Sequence, residues 1–456
     1  MKTNKKVNYP HIKTGGGADA ANISDFLQLK RSVMACMLWE DTAYEGGVRI
    51  ADKIKETIAK VKPRDVVNLA ILAREDMKLR HVPLYMARCM AELPTHKAWV
   101  ADLLYKIIQR PDELTEFLSI YWRLGKCPIS AQVKKGLAKA FTKFDEYQLA
   151  KYNRDAAIKL RDVLFLCHAK PKDHGQALLW QKLIDNTLTT PDTWEVELSQ
   201  STNKGESWIR LLIQQKLGAL ALLRNLRNMI KARVPDAYVK EALRKVESSR
   251  VLPFRFVAAA RHAPRFEQDI EVAMLKCLAD YPKFSGKSVI IIDESGSMGL
   301  PISSKSQMSR YDAAHAIAIL LRERCEDVQV YATAGNDYNR SHATVLVPAR
   351  RGFALATALT ESKRLIGDGG IFLKQVMDFV KEHEKFAERV IVITDEQDCD
   401  IKCNPLTADA FGKRNYLINI ASNTNGIGYG KWLHIDGFSE ACIDYIYEYE
   451  AELDGL

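Results

Sequence analysis

The chain has 456 residues, 47% of them apolar, and a formal net charge of +9, which makes it too long for one ordinary core and too apolar for a disordered chain. No apolar run reaches the roughly 18 to 20 residues of a spanning helix, and Met1 to Val7 lacks the apolar centre of a signal peptide. The expectation is a cytoplasmic protein with no membrane partner, built from two or three domains.

The charge is uneven along the chain. Residues 1–280 carry 47 Lys and Arg against 32 Asp and Glu, whereas 281–456 carry 19 against 25. A positive surface on the first part favours a polyanionic partner, nucleic acid before membrane. Nine scattered cysteines, most of them in apolar stretches, suit reduced buried thiols better than a disulfide framework. Only Cys399 and Cys403 lie close, and their spacing is not that of a zinc knuckle.

Residues 1–22 are polar, contain Gly15-Gly-Gly17 without a following Gly-Lys-Ser/Thr, and read as a flexible arm. From 23 to 280 the pattern is helical. Leu114, Phe117, Leu118 and Tyr121 recur at helical spacing behind Pro111 and two acids, and Val66, Leu69, Ala70, Ala73 and Met77 repeat the spacing behind Pro63. Helices of about 12 to 16 residues with short breaks imply stacked pairs of the HEAT type.

The densest basic stretch lies within this region, with Lys134, Lys135, Lys139, Lys143, Lys151, Arg154, Lys159, Arg161, His168, Lys170 and Lys172. Such residues bind phosphates from helix faces and loops, and aromatic or Arg planes would add stacking on single strands. Tyr121 and Trp122 sit at core spacing and are expected to pack rather than stack.

Beyond Tyr281 the period changes, and a second domain is expected over 286–456. Ser288–Asp293, Asp327–Ala332, Arg389–Asp395 and Tyr416–Ile420 read as buried parallel strands, with helical stretches such as Tyr311–Cys325 and Phe372–Glu384 between them. This alternation predicts a doubly wound sheet with ligands at the strand carboxyl ends.

The first strand ends in Asp293-Glu-Ser295-Gly-Ser297, which resembles the DxSxS signature of the von Willebrand factor A family. One Asp and two hydroxyls on a tight loop suit Mg²⁺ or another hard divalent cation with one position open for an acidic partner. The resemblance implies that Asp395 is a second acid acting through water. It also implies a Thr on a glycine-containing loop, where this chain has Ile371 after Asp368-Gly-Gly370. An alkyl chain ligates nothing, so Asp368 or water is the expected substitute.

A DxSxS domain behind a basic helical domain resembles the Ro autoantigen family, whose helical part is the TROVE module. The resemblance rests on Arg74 through Leu84, Lys151 through Arg154, Leu160 through Pro171 and Leu220 through Leu226, followed by Asp293-x-Ser295-x-Ser297 in the same order. It implies a monomeric ring of HEAT-like repeats followed by a von Willebrand A-type Rossmann-like domain, the whole a non-catalytic RNA-binding protein. It further implies that small structured Y-type non-coding RNA binds an outer basic surface. Single-stranded ends of misfolded RNA would enter a central hole, and an exoribonuclease would be a partner in RNA quality control. Lys151 and His168 match RNA-binding positions of that family, while the Arg position falls on Asp155, one residue past Arg154. The expected RNA contacts are Lys134, Lys135, Lys139, Lys151, Arg154, Arg161, His168 and Lys170; the expected metal residues are Asp293, Ser295, Ser297, Asp395 and Asp368. Two readings compete: an adaptor that binds protein carboxylates through its metal, and a metal-dependent nuclease or phosphatase using Asp293, Asp395 and Asp398.

Overall fold

The computed structural model describes residues 24–35, 38–39, 47–246, 251–279, 281–396, 399, 411–421, 432–438 and 440–454. The proposed arm at 1–22, together with Cys36, Cys403 and Asp398, lies outside the described residues. Among the described residues, the packing divides the chain between Ser207 and Trp208, with the residues from Ser24 to Ser207 forming one unit, apart from Trp39 and Gly47, and those from Trp208 onward forming another. The composition changes at 281, where helices give way to strands, but the packing divides some seventy residues earlier.

In the first unit the helices are α1 (Asp25–Met34), α2 (Gly47–Ile58), α3 (Pro63–Glu75), α4 (His81–Glu92), α5 (Val100–Ile107), α6 (Asp112–Tyr121), α7 (Ala131–Phe141), α8 (Glu146–Tyr152), α9 (Leu160–Cys167), α10 (His174–Ile184) and α11 (Trp194–Gln200). Helices pack on near neighbours in sequence, α3 on α4 and α5, α4 on α6, α5 on α7 and α7 on α9, which is the local contact pattern of stacked repeats. Gly136 permits the close α5–α7 approach, since a Cβ there would stand 2.9 Å from the Leu104 Cβ and 3.0 Å from the Ala101 backbone. Glu113, fully buried, accepts from Arg74 Nη2 at 2.6 Å and from the Gln109 N–H at 2.7 Å, so that a charged anchor joins α3 to the start of α6. Tyr121 and Trp122 are half-buried and brace the loop before α7, donating to the carbonyls of Pro128 and Cys127.

The division falls within α12 (Lys204–Ile213), and α13 (Ala219–Lys231), α14 (Asp236–Lys245), α15 (Phe254–His262) and α16 (Glu267–Leu278) lead into the sheet. α15 and α16 pack on α17 (Arg310–Arg324). The strands are β1 (Phe284–Asp293), β2 (Cys325–Asn336), β3 (Ser341–Leu346), β4 (Arg389–Thr394), β5 (Arg414–Asn419) and β6 (Trp432–Asp436), in the order β3-β2-β1-β4-β5-β6. Every pairing is parallel except β2–β3. The remaining helices are α18 (Phe353–Ile366), α19 (Leu373–His383) and α20 (Ala441–Asp454).

Val289 to Ile292 are all fully buried, so both faces of the central strand are covered, as a doubly wound sheet requires. Val289 and Ile291 pack with Leu373, Val376, Met377 and Val380 of α19. β1 lies between β2 and β4, which places the reversal of strand order, where such sheets bind ligands, at the carboxyl ends of β1 and β4. β3 and β6 are additions to the expected strands: β3 is a half-buried edge with no continuous apolar run, and β6 is only five residues long.

Candidate functional site: a basic helical surface and a buried crevice

Two places collect the residues singled out by the sequence. The first is the run from α7 to the loop after α9. α7 packs on α9, and Gln176 of α10 donates to the Thr142 carbonyl at the end of α7 at 3.1 Å, so these helices form one packed group. Lys135, Arg154, Arg161, His168 and Lys170 are exposed, and Lys134 and Lys151 are half-buried. Among the described residues no carboxylate pairs with any of these seven. Lys134 lies near Cys167, next in sequence to His168; that thiol is pushed up to about 11, chiefly by burial.

His168 ends α9 at φ +53, in the left-handed region that favours glycine at this cap position. His168 is exposed, and Phe165, three residues earlier on α9, is 59% exposed. An aromatic ring, an imidazole and unpaired cations within a few residues form a set that can meet both phosphates and bases. Lys151 is close to Tyr152, with Nζ 5.9 Å from the ring centroid. Lys139 departs from the others: its ammonium stands 3.1 Å from Asp102 Oδ1 and 4.6 Å from the Tyr105 ring. Asp155, at the position matched to an Arg, is exposed and pairs with Lys159 at 2.7 Å, which holds its carboxyl below the usual range.

The second place is the crevice between β1 and β4. Asp293 ends β1 fully buried; its Oδ1 accepts from the Ser295 N–H at 2.8 Å and its Oδ2 from the Thr394 hydroxyl at 2.6 Å. Burial, then the nearby Asp395, pushes its carboxyl above the usual range. The Ser295 and Ser297 hydroxyls face each other at 3.3 Å. Asp395, also fully buried, follows β4, and the next residue, Glu396, takes φ +61 and pairs with His434 at 2.8 Å. The structure thus brings Asp293, Ser295, Ser297 and Asp395 to the strand ends, as expected.

The remaining expected contributor, Asp368, and the alkyl residue at the Thr position, Ile371, are placed differently. Ile371 is fully buried in the apolar cluster beneath the crevice. The Asp368 side chain is exposed, and its backbone carbonyl accepts from the Gly296 N–H at 2.8 Å, closing the loop over the motif. Sequence reasoning missed Arg310, which is fully buried and donates from Nη1 to Asp395 Oδ2 at 2.6 Å and to the Ser297 carbonyl at 3.2 Å. Its signal was present: Arg310 is the first residue of α17, behind the Ser309–Asp312 capping box, where the helix dipole favours an acid over a base.

Glu294, between the motif's Asp and first Ser, is likewise met from within the chain, by His315 Nε2 at 2.6 Å and Lys363 Nζ at 3.3 Å. Tyr311 donates to the Ser295 carbonyl at 2.7 Å and holds the loop on α17. This donor set does not fit a hard divalent cation. Mg²⁺ needs near-ideal octahedral oxygens, and here a guanidinium already lies on the second acid while the loop's remaining position is an alkyl chain in the core. Among the described residues, no group of three or more His, Cys, Asp or Glu side chains is gathered as a metal site, and no helix is long and apolar enough to cross a membrane.

Residues 28–187 and 185–274 match the model of the TROVE domain. The chain is 21% identical over 365 residues to telomerase protein component 1 of Rattus norvegicus and 22% identical over 367 residues to that of Mus musculus. These matches cover 58% of this chain but 14% of either relative, so the chain spans a small part of their length. The fold is similar to the crystal structure of the Deinococcus radiodurans RO (RSR) protein, with a TM-score of 0.62 at 16% identity over 92% of this chain and 97% of that one.

Proposed function

The chain belongs to the TROVE domain family, and on that premise we propose that it is an RNA-binding scaffold without catalysis of its own. The observation that carries this reading is the group of Lys134, Lys135, Lys151, Arg154, Arg161, His168 and Lys170, exposed or half-exposed and without carboxylate partners among the described residues. Cations that no protein acid holds in a salt bridge are those that gain most by displacing counterions from a phosphate backbone. The exposed Phe165 and the strained, exposed His168 supply planes for unstacked bases.

The finer reading is that small structured RNA of the Y type binds this surface, that single-stranded ends of misfolded RNA are a second ligand, and that the protein presents them to an exoribonuclease. It is supported by family membership and by a basic surface of mixed Lys, Arg and His, which suits shape and backbone recognition better than a base-reading code.

Crosslinking of RNA to the protein in cells, followed by sequencing, tests the proposal. The Lys151→Ala/His168→Ala variant is expected to lose most of the bound RNA, and Asp293→Asn to keep it. If the double variant retains its RNA while Asp293→Asn loses every ligand, the RNA reading falls and the metal-dependent adaptor stands. RNA cleavage by the purified protein would instead revive the nuclease.

A further inference from the structure

Asp293 and Asp395 are both fully buried, at the carboxyl ends of the adjacent parallel strands β1 and β4. Two carboxylates withdrawn from water need a compensating positive charge. In a DxSxS loop that charge is ordinarily expected from a bound divalent ion. Here the chain carries it: Arg310 reaches from the first turn of α17 into the crevice and donates from one nitrogen to both the second acid and the backbone of the motif's last Ser.

We propose that Arg310 is the resident cation of this crevice, standing in place of a divalent metal. A guanidinium stays charged at any physiological pH, so the site is held in one arrangement without an exchangeable ion. Three further features agree with a closed, self-neutralised site. The loop position that would complete a metal's shell is Ile371, buried in the apolar core. The motif's middle acid, Glu294, is occupied by His315 and Lys363. The Asp368 carbonyl caps the motif so closely that a Cβ at Gly296 would stand 2.8 Å from it.

With no metal there is no open coordination position, so a partner's carboxylate finds no ion to ligate at this edge of the sheet. The crevice instead fixes the start of α17 to the ends of β1 and β4, with Arg310 as a positioning residue. The inference stands on this crevice alone and is independent of the RNA reading.

Electron paramagnetic resonance of added Mn²⁺, titrated into the full chain, tests it. Up to about 1 mM Mn²⁺, the weak end of the affinities at which protein sites hold hard divalent cations, the wild type and Asp293→Asn are expected to take up the same small, non-specific amount. Arg310→Ser removes the guanidinium and is expected to admit one Mn²⁺, lost again in Arg310→Ser/Asp293→Asn. One Mn²⁺ bound by the wild type and abolished by Asp293→Asn overturns the proposal. A folded Arg310→Ser that takes no Mn²⁺ overturns it as well, because the crevice would then hold no cation position for an arginine to fill. Should Arg310→Ser fail to fold, the comparison of wild type with Asp293→Asn decides alone.

Discussion

The surface around α7 and α9 and the crevice between β1 and β4 both concentrate charge, and they treat it oppositely. On the helical surface, Lys134, Lys135, Lys151, Arg154, Arg161, His168 and Lys170 stand in or near water with no carboxylate in salt-bridge contact among the described residues, whereas Lys139 and Lys159 pair with Asp102 and Asp155. In the crevice, the buried acids meet partners from their own chain: Asp395 the Arg310 guanidinium, Glu294 His315 and Lys363, and Asp293 the Thr394 hydroxyl and the Ser295 N–H. Unpaired surface charge is cheap in stability and available to a ligand, whereas paired buried charge is costly to disturb and unavailable. The difference assigns binding to one place and architecture to the other.

Removing the crevice's cation should give the largest effect. Arg310→Met leaves Asp395 buried without its guanidinium, which destabilises by about 3–5 kcal/mol. The loss is read by urea unfolding with hydrogen exchange at the β1 and β4 amides, and RNA recovered with the protein should change little in the folded fraction. If millimolar Mg²⁺ restores the lost stability, an ion can serve where the arginine does, which supports a shared cation position. If Arg310→Met is as stable as the wild type, the contrast between the two regions fails.

A buried acid without such a cation sharpens the same contrast. Glu440 is buried, accepts from the Phe254 N–H at 3.2 Å, and its Oε1 has no hydrogen-bond partner among the described residues. Burial pushes its carboxyl up to about 7. Because the folded form binds the proton more tightly, no cost is felt below the unfolded value near 4.5; the cost grows as pH rises from there to about 7 and is constant above. Glu440→Gln keeps an acceptor for Phe254 and removes the charge. It should be more stable than the wild type at pH 8 by up to about 3 kcal/mol, with the gap closing by pH 4.5 in denaturant titrations.

Much of this arrangement was legible in the sequence because it is written locally. Parallel strands buried on both faces read as continuous apolar runs, so β1 and β4 were visible as Ser288–Asp293 and Arg389–Asp395, each run ending in its acid. β3 was not, because an antiparallel edge strand half-open to water carries no such run. Arg310 was hidden for a different reason: its partner Asp395 is 85 residues away, and only the misfit of a basic residue at a helix start hinted at it. The division of packing near 207 was hidden too, since α15 and α16 remain as helical in pattern as the first unit although they pack on α17.

The smallest effect discriminates within one helix. Lys135 and Lys139 lie one turn apart on α7; Lys135 is exposed with no acid beside it, while Lys139 pairs with Asp102 and covers Tyr105. Either change to Ala should leave stability within about 0.5 kcal/mol. Their effects on RNA binding should differ. If Lys135 neutralises a phosphate, Lys135→Ala lowers the slope of log affinity against log salt by about 0.7–0.9. Lys139→Ala should lower it far less, because Asp102 already holds that ammonium and would be left exposed beside the RNA. Filter binding across a salt series, with the RNA recovered from cells as probe, separates the two. Equal slopes would mean that the Lys139–Asp102 pair opens on the ligand, so that pairing in the free protein does not select the cations that bind, and the distinction drawn between the two charged regions would hold for buried groups only.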